Sequence, residues 1–278
     1  MIGRQSLYAA PGELATLHSR YRASLTDDAL IDGSLPFEGY TEPLFRSLGA
    51  AMIDSVDASN YESATRIHDL NQPIPESWKE LYTVVLDGGS LEHVFNLPVA
   101  LKNCMEMVAS GGHYLAITPT NNFCGHGFYQ FSPELYFNVF CKRNGFRVRG
   151  IYCVELGSAQ WYQVSNPGDL RRRVTLVNSR PTYLLVAAQR INIGKIFEHT
   201  PQQTDYSAAW EAQRKQSEPV EPGSGLGLRN LLKRRFPQRT KEQIKAIANV
   251  FRGRFDSGSF RPVQDVDFGA HGDDDVDS

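Results

Sequence analysis

Between residues 52 and 191, short β-branched or aliphatic runs alternate with helix-length amphipathic segments, the pattern of βαβ units around a parallel sheet. Six strands are expected, at 52–59 (MIDSVDAS), 64–70 (ATRIHDL), 82–88 (YTVVLDG), 113–119 (HYLAITP), 147–156 (RVRGIYCVEL) and 182–191 (TYLLVAAQRI). The runs at 84–86 and 184–188 are apolar at successive positions, which suits strands covered by helices on both faces. In the segment 96–112, Leu97, Leu101, Cys104, Met105 and Val108 form one helical stripe that should face the sheet, with Gly111 and Gly112 as the stop. A second helix is expected to open at Ser132 and Pro133 and to end by Gly145; a third, TEPLFRSLGA, ends near Gly49. The fold class expected is α/β, a Rossmann-like, doubly wound and mostly parallel sheet occupying residues 1–200.

Beyond about residue 192 the pattern changes. Residues 201–228 are expected to be a linker, with Pro, Gly, Ser and charge concentrated in QRKQSEPVEPGSGLG. Residues 229–278 read as a charged, largely disordered tail, basic over 229–254 and acidic at the end. Within it Thr240 and Gln243 make a capping box, and Ile244, Ile247, Ala248 and Phe251 form a stripe closed by Gly253, so a short helix is expected near 240–252. Such a tail is either solvated or docks on a partner or an anionic surface.

Composition narrows the function classes. A chain of 278 residues with 41% hydrophobic content and a formal charge of −2 fits one good-sized core plus appendages and gives no reason to expect nucleic-acid binding. Its four cysteines have neither CxxC nor zinc-ligand spacing, and no signal-peptide segment opens the sequence, so a cytoplasmic protein with reduced thiols is expected. No run approaches the roughly 18 apolar residues that span a bilayer. Whether the chain forms a homo-oligomer is open.

Ligands of open parallel sheets bind beyond the carboxyl ends of the strands. Three such ends are acidic here: Asp57, Asp69 and Asp87. A carboxylate at one strand end can accept both hydroxyl hydrogens of a ribose, and one at the next can accept from an exocyclic amine. The stretches SVDAS, IHDLN, VVLDGGSLEHVFN, MVASGGHYLAITP and FSPELYFNVFCKRNGFRV carry the chain further: over about residues 40–191 it resembles class I S-adenosylmethionine-dependent methyltransferases. The resemblance implies a Rossmann-like fold of that type and S-adenosyl-L-methionine as cofactor. It implies that Asp57 holds the ribose, that Asp69 and the backbone of Leu70 hold the adenine edge, and that Asp87, Gly88 and Gly89 line the floor beside the methionine part.

The chain departs from the family at the glycine-rich loop that normally follows the first strand. Its nearest equivalent is Gly3-Arg4-Gln5, preceded by only two residues, against a usual strand length of about five. Either this is a degenerate loop whose Arg4 or Gln5 contacts the cofactor carboxylate, or cofactor binding is lost. No GxGxxG opens a helix after any strand, which disfavours a nicotinamide-dependent oxidoreductase.

A second candidate site follows the 113–119 strand. Asn121 and Asn122 offer donors and acceptors to a substrate, Gly125 and Gly127 free the backbone around His126, and Phe128 and Tyr129 supply a stackable wall; a packed loop with core aromatics is the alternative. Methyl transfer needs in-line alignment and, for a hydroxyl acceptor, a proton acceptor, for which an imidazole is suited. His126 is preferred to His93, whose Glu-His pair in such proteins often serves capping and packing. No metal is assigned; Glu92, His93 and His126 could in principle share one, but their spacing is not diagnostic. The segment 157–181, with Trp161, Tyr162 and Arg171 to Arg173, suits either an anionic or sugar acceptor or a subunit interface. Two functions follow: a methyltransferase acting on O or N of a small molecule such as a saccharide-like one, or an inactive methyltransferase-like module working as a scaffold or partner subunit.

Overall fold

The computed structural model describes residues 1–8, 13, 14, 16, 39–217, 255–264 and 266. Within them the chain forms, in order, α1 (Glu42–Ser47), β1 (Val56–Asp57), β2 (Arg66–Ile67), β3 (Tyr82–Asp87), α2 (Leu97–Met107), β4 (Val108–Asn121) and α3 (Pro133–Val139). It continues through β5 (Phe146–Glu155), β6 (Trp161–Val164), α4 (Pro167–Leu170), β7 (Thr182–Arg190), α5 (Thr204–Ser217) and β8 (Phe260–Val263).

Strands β3-β4-β7-β5-β6-β8 are hydrogen-bonded neighbours, and β1 pairs with β2 in parallel. Ile2 joins the two groups by bridging in parallel to both Val56 and Asp87. Its amide donates to the Leu86 carbonyl at 2.8 Å, and the Gly3 amide donates to the Val56 carbonyl at 2.8 Å. The sheet therefore reads β2-β1-Ile2-β3-β4-β7-β5-β6-β8. Through β4 every strand runs one way, β7 reverses between β4 and β5, and β5 resumes the first direction. This is the α/β, Rossmann-like sheet that the sequence leads one to expect.

The expectation of mostly parallel pairing needs correction beyond β4, where the ladders are antiparallel. A parallel neighbour requires a crossover of a dozen or more residues, usually a helix. Between β5 and β7 the one helix, α4, has four residues, so β7 returns antiparallel.

The helix before β4 also ends earlier than its glycines suggest. Arg190 is buried, and its Nη1 donates to the carbonyls of Val108 (2.6 Å), Glu106 (3.3 Å) and Met105 (3.4 Å), capping α2 from across the sheet. The two glycines instead serve a β-bulge. Register shifts between Tyr82 and Val84, Gly111 has φ +78°, and a Cβ on Gly112 would lie 2.7 Å from the Thr83 carbonyl oxygen.

Strands β1 and β2 are shorter than their sequence runs. Ser55 and Thr65 exchange side chain to backbone bonds (Ser55 N to Thr65 Oγ1, 2.8 Å; Thr65 N to Ser55 Oγ, 3.1 Å) where ladder bonds would otherwise form. Ser132 caps α3 as expected, its hydroxyl accepting from the Glu134 amide at 3.1 Å, and Gly145 takes the left-handed conformation at φ +78°. The core lies where α2 and α3 meet the sheet: Leu101, Cys104 and Met105 are buried, and Tyr114 stacks on Phe140 at 4.6 Å.

Two findings concern the region after residue 200. Residues 204–217 of the expected linker are helical, and α5 is tied down by Arg173 on Asp205 (2.6 Å) and by the Thr204 amide donating to Glu134 (2.8 Å). Farther on, Phe260–Val263 pairs with β6, Phe255 stacks on Tyr162 at 3.8 Å, and Arg172 holds Asp256 at 3.0 Å. Trp161 and Tyr162 thus lie in a strand paired on both sides. The helix expected near 240–252 lies outside the described residues. No described helix is long and apolar enough to cross a membrane.

Candidate active site

Because β2, β1, the Ile2 segment and β3 are parallel, their carboxyl ends share one edge of the sheet. Along that edge come Asp69, Asp57, Gly3 and the Asp87–Gly89 turn. Asp57 is half-buried, and its Oδ1 accepts from the Ser59 amide at 3.0 Å. Asp69 is exposed; its Oδ1 accepts from the amide and side chain of Asn71 at 2.9 and 2.7 Å, and these bonds hold its carboxyl below the usual carboxylate range. Neither forms an ion pair with another described residue. Leu70 is buried, its carbonyl accepting from Asn103 Nδ2 at 3.1 Å.

Asp87 is placed differently from the other two. Its side chain is fully buried, and Oδ1 accepts from the amides of Ser90 (2.8 Å) and Leu91 (3.3 Å), so it caps the 3₁₀ turn Leu91–His93. Burial pushes its carboxyl up to about 7 against those stabilising amides. The carboxylate thus shapes the turn that carries Gly88 and Gly89.

The three residues of the degenerate loop separate. Gly3 has φ +66°, and a Cβ there would lie 2.7 Å from Ser90 Oγ, so the first loop packs directly on the turn after β3. Gln5 Nε2 donates to the Ile2 carbonyl at 2.8 Å, and the Gln5 side chain lies where a Cβ on Gly88 would be. Arg4 turns toward α1, pairing with Glu42 at 2.7 Å and lying 3.6 Å over the Tyr40 ring.

Thirty-odd residues later, the 122–131 loop docks on the same turn. The Glu92 carbonyl accepts from the amides of Phe128 (2.7 Å) and Tyr129 (3.3 Å), and a Cβ on Gly127, whose φ is +74°, would lie 2.7 Å from that carbonyl oxygen. Only glycine permits this approach. It brings His126 Nε2 within 3.3 Å of Glu92 Oε1 and sets the His93 and His126 rings edge to face at 5.0 Å. Glu92 is fully buried, and among the described residues neither carboxylate oxygen has a partner of hydrogen-bond geometry, so the 3.3 Å contact is electrostatic only. His93 and His126 are exposed. Beside them Phe95 and Phe128, 70% and 65% exposed, meet edge to face at 5.6 Å, and Tyr129 fixes this wall by donating to the Phe95 carbonyl at 2.7 Å.

Asn121 and Asn122 are committed to another task. Both donate to Asn178 Oδ1 (2.7 and 2.8 Å), and Asn178 in turn donates to Glu155 and Thr182. They lock the end of β4 to the segment before β7. Sequence reading missed Asn178, and it missed that Glu92 is the buried member of the histidine pair. The GxG flanking His126 was the one signal available for that close approach.

No protein-family model matches the chain, and no curated protein matches it in sequence. Among solved structures it is similar to a candidate methyltransferase from Bacillus halodurans C-125 (12% identity, 55% of this chain and 88% of that one, TM-score 0.37). It is also similar to the antibiotic-resistance methyltransferase Kmr (17%, 70% and 99%, TM-score 0.32). A third likeness is to the branched-chain polyamine synthase of Thermus thermophilus, in complex with N4-aminopropylspermidine and 5'-methylthioadenosine (11%, 73% and 63%, TM-score 0.31). These likenesses are distant, and the functional reading rests on this chain's own geometry.

Proposed function

We propose that the protein is an S-adenosyl-L-methionine-dependent methyltransferase acting on an oxygen or nitrogen of a small, saccharide-like acceptor. The observation that carries this reading is the shared edge at which Asp69, Asp57, Gly3 and Gly88–Gly89 follow one another, with the Asp57 and Asp69 carboxylates free of described ion pairs. In that reading Asp57 accepts from the ribose hydroxyls, Asp69 and the Leu70 backbone meet the adenine edge, and the glycines let backbone approach the methionine part. When bound, the cofactor supplies the electrophilic methyl group. His126 or His93 takes the acceptor's proton, and the Phe95–Phe128 wall orients the acceptor and sheds water.

One observation favours the second reading, a module that has lost its cofactor. Gln5 lies against Gly88 in the space between the first loop and the turn. The two readings part on photolabelling with methyl-tritiated S-adenosylmethionine. The enzyme reading expects label in peptides containing residues 54–72 or 84–93; absence of specific label, or label that excess S-adenosylhomocysteine does not displace, favours the scaffold.

A further inference from the structure

We infer that Glu92, His93 and His126 form a binding site for one divalent transition-metal ion of the zinc class. Glu92 anchors it. Its carboxylate is fully buried with no hydrogen-bond partner on either oxygen among the described residues, and a half-exposed imidazole at 3.3 Å does not make up for that desolvation. A dication would. One ligand atom from each of the three side chains already lies within 4.8 Å of the other two. Two ligands bonded at about 2.0 Å to a tetrahedral ion stand about 3.3 Å apart. The Glu92–His126 spacing therefore already matches one edge of a coordination tetrahedron, with the exposed His93 within 4.8 Å of both.

The donor set selects the class of ion. Two imidazoles and one carboxylate suit zinc and its first-row neighbours, whereas calcium and magnesium prefer oxygen ligands throughout. Three protein ligands leave a fourth position open, as in reactive rather than purely structural sites. The two loops that carry the ligands are held together by the Phe128 and Tyr129 amides on the Glu92 carbonyl, so the site is pre-organised by backbone. The inference goes beyond the methyl-transfer reading and stands without it. Where both hold, Glu92, His93 and His126 would hold the ion, which would acidify an acceptor hydroxyl at its open position, and water in place of an imidazole would take the proton.

The test uses the full chain, stripped with chelator and titrated with zinc by calorimetry, with cobalt absorption as a probe of coordination geometry. One zinc per chain is expected with micromolar affinity or better, and Glu92→Gln should weaken it at least ~100-fold. His126→Ala, at a half-exposed position, should do the same while the circular-dichroism melt of the metal-free protein stays unchanged. Binding no tighter than millimolar, or binding that both variants leave intact, overturns the inference. S-adenosylhomocysteine titrated into the same samples reports on the cofactor separately, so either assignment can fail without the other.

Discussion

Replacing Asp87 with asparagine isolates the cost of keeping an acid inside the turn that organises the site. The carboxyl is pushed by burial from 3.8 to about 7, so the folded state holds its proton more tightly than the unfolded chain does. The stabilisation from the neutral acid is fully present below about pH 4 and is lost as pH rises through about 7. Three units at about 1.4 kcal/mol each make the full loss ~4 kcal/mol, of which ~2.5 kcal/mol falls between about pH 5 and pH 8. Asparagine retains the Oδ1 acceptor that Ser90 and Leu91 use, and removes the charge. Urea denaturation of wild type and Asp87→Asn at the two pH values is the assay. Wild type should lose ~2.5 kcal/mol more than the variant over that interval, and Asp87→Asn should be the more stable protein at about pH 8. Asp87→Leu, which leaves two amides unpaired, should be destabilised at both pH values by at least about 1–3 kcal/mol. An identical pH dependence in wild type and Asp87→Asn would refute the reasoning.

Gly127→Ala meets the Glu92 carbonyl oxygen at 2.7 Å in a left-handed conformation, so the 122–131 loop should undock, with faster proteolysis there; an unchanged digestion pattern would contradict the close approach. Arg190→Met removes three bonds to the end of α2 and should cost roughly 2–4 kcal/mol in denaturant unfolding, and a loss below ~1 kcal/mol would show that the cap contributes little. Asn178→Ala removes the side-chain acceptor that Asn121 and Asn122 share while leaving Asn122 its bonds to the Asn178 and Arg180 carbonyls, and hydrogen exchange should rise at residues 119–124 while α2 stays protected; unchanged exchange at 119–124 would count against the lock.

Much of the sheet was legible because apolar runs, Ser-Pro starts and glycine stops are local signals: β3, β5 and β7 lie within a residue or two of expectation, and Ser132 caps α3. What escaped was set by partners distant in sequence. The end of α2 depends on Arg190 from β7, and the helix over 204–217 is anchored from Arg173 and Glu134. The pairing of β6 with β8 joins residues about a hundred positions apart. The three aspartates were legible as acidic strand ends, but nothing local separates the buried, capping Asp87 from the more open Asp57 and Asp69. That difference comes from the packing of Tyr114 and the Ser90 turn around Asp87. Likewise, Glu92 reads as one half of a Glu-His capping pair, and its full burial follows only once Gly127 brings the second loop over it.

The central claim is that the edge formed by Asp69, Asp57, Gly3 and the β3 turn holds S-adenosylmethionine. Isothermal titration with S-adenosylhomocysteine tests it most directly, on wild type and on Asp57→Ala. The account predicts micromolar binding, one molecule per chain, weakened at least ~100-fold by Asp57→Ala, a loss of about 3 kcal/mol. No heat at millimolar ligand, or binding that Asp57→Ala leaves intact, would contradict it.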